Sequence, residues 1–181
     1  MVPENSKKLD PRTIQVLRSG IPAVVFNAVE KLREDGNSAY LPILFELLHS
    51  TNDHEIKKSI TRLLAELKHR EVVPVLIEAI QNKQYADELQ SIISVCWENG
   101  LDYTEHLPVF VDLVIEKEFL VAFEAYTVII NMTGKISNAM QEAESKKIQD
   151  ALRNPAGNKN DLLQDLLDFL PELEEGIEPG F

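Results

Sequence analysis

The side chains through which this chain could do acid–base, nucleophilic or metal chemistry are four histidines, one cysteine and thirty carboxylates. His49, Asp53 and His54 come closest together, across one turn. Zinc needs three or four converging ligands, usually set by a motif such as HExxH or CxxC. Neither motif occurs, so His49, His54, His69 and His106 read as helix-end or solvated residues. A catalytic Cys96 would need a basic neighbour to lower its pKa, and helical spacing puts no histidine beside it. Cys96 and Trp97 instead match Leu63 and Leu64 of the preceding segment, which predicts packing. Carboxylate pairs such as Glu116/Glu118 and Glu142/Glu144 neighbour lysines on polar faces, whereas acid–base work needs two carboxylates in different environments. There is no glycine-rich phosphate loop, GxSxG motif or Ser-His-Asp constellation. No catalytic residue, cofactor or metal is expected.

The elements that would position these groups are helices, and they repeat. Four segments carry apolar residues at the same offsets: Ile21/Val25/Ala28/Val29/Leu32, Ile56/Ile60/Leu63/Leu64/Leu67, Leu89/Ile93/Cys96/Trp97/Gly100 and Val121/Ala125/Val128/Ile129/Met132. Three are preceded by a helix bearing Leu41-Pro42, Val73-Pro74 or Leu107-Pro108, with the prolines 32 and 34 residues apart. Two helices in a period of that size predict an all-α fold, a short right-handed α-solenoid of three to four antiparallel pairs. No alternating strand pattern is present.

Local signals place the boundaries. Asp10-Pro11 opens a short helix with Ile14 and Leu17 inward, a cap followed by proline at the first turn. A second helix runs from about Pro22 to Glu34 and stops at Asp35-Gly36-Asn37. Asn52 and Glu55 have capping-box spacing. A weaker helix at about 137–152 carries Met140, Ala143, Ile148 and Ala151 on one side. A last helix at about 161–170 carries Leu163, Leu166, Leu167 and Leu170, ending at Pro171. The expected organisation is a disordered tail over 1–9, repeats over 10–153, a linker and capping helix over 154–173, and an acidic tail over 174–181.

The segment Tyr40–Leu67 resembles a HEAT repeat. Leu41-Pro42-Ile43-Leu44-Phe45 with Leu47-Leu48 is similar to the family's first helix, and Asn52-Asp53-His54-Glu55-Ile56 to its turn. The likeness weakens through Val73–Gly100 and Leu107–Met132. Lys57, Gln90 and Ala122 stand where many such repeats place an arginine. The resemblance implies a non-catalytic scaffold that binds a partner protein or peptide on the concave face of the second helices. It leaves two alternatives open: a nucleic-acid-binding or base-excision protein, and a small-molecule-binding accessory lyase.

Register picks the contact positions. The second-helix stripe reads Ala23/Phe26/Glu30, Lys58/Thr61/Ala65, Ser91/Ser94/Glu98 and Phe123/Tyr126/Ile130. From it and its flank come the partner-binding candidates Phe26, Lys58, Thr61, Arg62, Ser91, Ser94 and Tyr126. A net charge of −12 argues against a phosphate backbone as partner, though Lys57, Lys58 and Arg62 make a small basic patch. The polar N-terminus, the lone cysteine and the lack of an 18-residue apolar run predict a soluble cytoplasmic protein with no membrane span.

Overall fold

The structure, a computed structural model, describes residues 9–35, 38–153 and 158–173. The predicted tails, apart from Leu9, and Gly36-Asn37 lie outside the described residues. The described residues form ten α-helices and no β-strand. The chain divides into two compact units, Met1–Asn99 and Gly100–Phe181.

Unit 1 holds α1 (Pro11–Leu17), α2 (Pro22–Asp35), α3 (Leu41–Ser50), α4 (His54–Glu66), α5 (Val72–Gln81) and α6 (Leu89–Glu98). Each first helix packs on its second, while α1, α3 and α5 neighbour one another and α2, α4 and α6 do the same. Two helix layers result, with the core between them. Ile56, Ile60, Leu63, Leu64 and Leu67 are all buried, as are Leu41, Ile43, Leu44, Phe45 and Leu48 opposite. Each such side chain contributes about 1.5–3 kcal/mol through removal from water.

The helix starts follow local chemistry, with some corrections. The Asp10 carboxylate accepts the N–H groups of Arg12 and Thr13, as its sequence position predicts. At α4 the cap is Asp53 and not Asn52. Its Oδ1 accepts the N–H groups of Glu55 and Ile56 at 2.9 and 3.1 Å. A carboxylate there also meets the positive end of the helix dipole. Ile21 is 56% exposed, because it precedes the first residue of α2 and so lies off the helical cylinder that the period describes. A 3-10 turn, Lys83–Glu88, with Tyr85 outside helical dihedrals, delays the start of α6 to Leu89.

The buried arc of α6 also differs from that of α4. On α6 the buried residues are Leu89, Ile92, Ile93, Val95 and Cys96, while Trp97 is 40% exposed. Relative to α4 the arc is rotated by about half of one 100° residue step. Cys96 packs as predicted, and Trp97 does not take the place of Leu64.

Unit 2 holds α7 (Leu107–Glu116), α8 (Phe119–Ile130), α9 (Asn138–Arg153) and α10 (Asn160–Leu173). The pairing pattern recurs: α7 with α8, α9 with α10, α7 beside α9 and α8 beside α10. On α9 the apolar stripe runs through Glu144 rather than the exposed Ala143. Its buried carboxylate has a counter-charge in Lys147, whose Nζ lies 3.1 Å from Oε2, an atom that accepts no hydrogen bond from the described residues. Helix α10 continues through Pro171 to bury Leu173. Proline removes one helical bond, and tertiary bonds hold that last turn: the Leu173 carbonyl accepts the Ile136 N–H at 2.8 Å, and the Glu172 carbonyl accepts Lys135 Nζ at 2.9 Å.

Two polar clasps fix this unit. Lys159, nearly buried, donates Nζ to the carbonyls of Ile115 and Lys117 at 2.6 and 2.8 Å, at the C-terminus of α7. Burial lowers its pKa, against the opposing pull of Glu118. In the second clasp, Asp102 Oδ1 accepts the Thr104 hydroxyl at 2.5 Å and the Thr133 N–H at 3.4 Å, while the Gly134 N–H donates to Thr104 Oγ1 at 3.2 Å. Gly134 must be glycine, since a Cβ would stand 2.6 Å from Asp102 Oδ2 and 2.8 Å from Thr104 Oγ1.

Candidate functional site

The second helices of unit 1 present a consistent outer face. Lys58, Ser91 and Glu98 are exposed, and Thr61, Ala65 and Ser94 are half-buried. Three- and four-residue spacing puts each set on one side of its helix. Because α4 and α6 pack together, the two stripes border one open groove of about 670 Å³. Lys58, Thr61, Arg62, Ala65, Glu66, Lys68, Ser91, Ser94 and Glu98 line it.

The floor is made of small side chains. The Thr61 and Ser94 hydroxyls are turned back onto backbone carbonyls of their own helices, which leaves a low surface that a peptide backbone can approach closely. The rim is charged. Glu66 is held by two arginines, Arg62 Nε at 3.2 Å and Arg33 Nε at 2.8 Å. Arg33 also pairs with Glu30, which accepts the buried Ser59 hydroxyl. This network fixes the Arg62 side of the groove. Among the described residues Lys58 has no ion pair, and Lys68 donates to the Asn99 carbonyl at 2.7 Å. These two ammonium groups are what the groove offers to a carboxylate.

Five of the seven predicted contact residues therefore lie together: Lys58, Thr61, Arg62, Ser91 and Ser94. Phe26 is half-buried on α2 and does not line the groove. Tyr126 belongs to unit 2, where it ends a ladder of rings. Phe119 and Phe123 stack with centroids 6.2 Å apart, and Phe123 and Tyr126 likewise. The Tyr126 hydroxyl donates to Asp165 Oδ2 at 3.3 Å. Burial and that carboxylate raise the phenol's pKa, so it remains a donor.

His49 sits in the last turn of α3, a helix-end residue as expected, and is half-buried rather than solvated: its Nδ1 lies 3.0 Å from Glu88 Oε2, and Lys57 Nζ lies 3.1 Å from Glu88 Oε1. Burial works to raise the Glu88 pKa, and the bonds from His49 and Lys57 outweigh it and hold the carboxyl below its usual value. Lys57 is thereby taken from the predicted basic patch. Sequence reasoning missed Glu88 because its partners His49 and Lys57 lie 39 and 31 residues away, beyond any local spacing. Among the described residues no three His, Cys, Asp or Glu side chains are placed to hold a metal, and no helix is long and apolar enough to cross a membrane.

A family model described as HEAT repeats matches residues 11–96, wholly inside unit 1. No curated protein matches the chain.

Proposed function

We propose, from the premise that residues 11–96 belong to the HEAT-repeat family, that the chain is a non-catalytic protein-interaction module using the α4/α6 groove. HEAT repeats commonly mediate protein interactions, and that supports the general role. The observation that carries the specific reading is the convergence of Lys58, Thr61, Arg62, Ser91 and Ser94 on one groove. A floor of small residues admits a peptide main chain, and Lys58 and Lys68 favour a segment with carboxylates along one side. The proposal includes a right-handed stack with C-terminal capping helices, and a cytoplasmic setting consistent with a single buried cysteine.

The nucleic-acid alternative asks for a continuous basic track. Lys57 is held by Glu88 and Arg62 by Glu66, so the rim lacks one. Affinity capture with wild type and with a Lys58→Glu/Ser94→Trp variant tests the groove. The first change reverses a rim charge and the second fills the floor. Partners recovered by wild type and lost by a variant that still folds are the expected result. Identical recovery by both sinks the assignment.

A further inference from the structure

The second helices of unit 2 carry a different surface. On α8, Phe119, Phe123, Tyr126 and Ile130 follow i, i+4, i+7, i+11 spacing, which keeps them within a narrow arc. Phe119 is 38%, Phe123 46% and Ile130 39% exposed, and Tyr126 is half-buried. On α10, Asp161, Asp165, Asp168 and Glu172 follow the same spacing, and all four are exposed. The two helices run side by side in the same direction. Lys159, just before α10, is bonded to the Lys117 carbonyl just before α8, and Leu173 at the far end is bonded to Ile136 beyond α8. The Tyr126–Asp165 hydrogen bond joins the two rows directly. An apolar row and a carboxylate row thus lie next to each other at one pitch.

We propose that these two rows together receive a basic amphipathic helix of a partner protein. Its apolar residues would lie on the ring ladder and its lysines or arginines along α10, with cation–π contact where a cation crosses a ring face. Charge selects this occupant. Residues 100–181 hold 6 bases and 16 acids, net −10. A second copy would bring the same charge against itself. The chain's own final segment contributes Glu174, Glu175 and Glu178 and no base, so it too would meet like charge. Anionic membranes and nucleic acids are repelled in the same way. The inference concerns unit 2 and stands apart from the groove of unit 1.

Three labelled peptides of about fifteen residues, roughly four helical turns, test this against the full chain by fluorescence anisotropy. One has leucines at i, i+4, i+7 and i+11 with lysines on the adjoining stripe. One is its scramble, and one replaces lysine with glutamate. The patterned lysine peptide should bind roughly tenfold or more tightly than either control, and Phe123→Ala should weaken it by a similar factor. An Asp161→Asn/Asp168→Asn variant, which leaves the Tyr126 partner in place, should weaken binding and flatten its salt dependence. Phe123→Ala should remain folded with a modestly lower Tm, because about half of the side chain is exposed and the ring stacks within its own row, on Phe119 and Tyr126. Equal binding of patterned and scrambled peptides overturns the proposal, as does indifference to Phe123→Ala in a folded variant. So does sedimentation showing a dimer that Phe123→Ala dissociates, since the occupant would then be a second copy.

Discussion

The second-helix stripes of the two units occupy the same register and carry opposite chemistry. In unit 1 the stripe is Lys58/Thr61/Ala65 beside Ser91/Ser94/Glu98, a polar groove with small side chains on its floor. In unit 2 it is Phe123/Tyr126/Ile130 beside the carboxylates of α10. Residues 1–99 carry 12 bases and 14 acids, net −2, against −10 for the rest. A helix-pair repeat determines which residues face outward. It leaves their chemistry free, so one scaffold can hold two surfaces with different preferences.

The comparison breaks most severely at the cores. Leu64→Ala in unit 1 and Leu166→Ala in unit 2 remove fully buried side chains and should each cost about 3 kcal/mol. Hydrogen exchange should show the loss concentrated in the mutated unit. Uniform loss across both would mean that the units unfold as one body and that the contrast is only of surface.

A smaller effect separates the units by their polar clasps. Gly134→Ala sets a Cβ against Asp102 and Thr104 and should cost about 1–3 kcal/mol. Thermal melting of unit 2 reports it, with the Glu88 cluster of unit 1 unchanged.

Acid sharpens the same contrast. Burial would raise the pKa of Asp102, but bonds from Thr104, Thr133 and Gly134 prevail and hold it below the usual carboxylate value. Glu88 is held below its usual value by His49 and Lys57 against its own burial. A carboxyl whose folded pKa is depressed adds stability above its unfolded pKa and loses it as pH falls through the folded value. Between pH 6 and about pH 2, Asp102→Asn should therefore flatten the stability loss of unit 2. Glu88→Gln should do so for unit 1. Denaturant titrations across that range decide it, and parallel curves for wild type and variant contradict the assignment.

The smallest change in stability is expected at the groove itself. Lys58→Glu should alter folding by no more than about 0.5 kcal/mol while reducing capture of any groove-dependent partner. A large loss of stability instead would make Lys58 structural and take it from the groove's proposed contacts.

Much of this was legible in the chain. Ile56, Ile60, Leu63, Leu64 and Leu67 were all placed correctly because 3.6-residue periodicity is local, and Asp10 announced the first helix by its own chemistry. The groove was half legible. Its residues follow from the outward stripe, but their meeting depends on α4 packing against α6. Trp97 failed because α6 buries the arc through Val95 and Cys96, and which arc a helix buries is set by its packing neighbours. Glu144 was expected on a polar face because its i+3 neighbour Lys147 is legible in the chain, and that spacing gives no sign that the carboxylate turns inward.

Helix content, pairing and the outward stripe were determined by the sequence alone, since each depends on spacing within about a dozen residues. The tertiary structure decided which stripes adjoin, that Lys57 and His49 both meet Glu88, and how α10 survives Pro171. Those outcomes depend on groups brought together from distant parts of the chain, and a local period holds no information about such meetings.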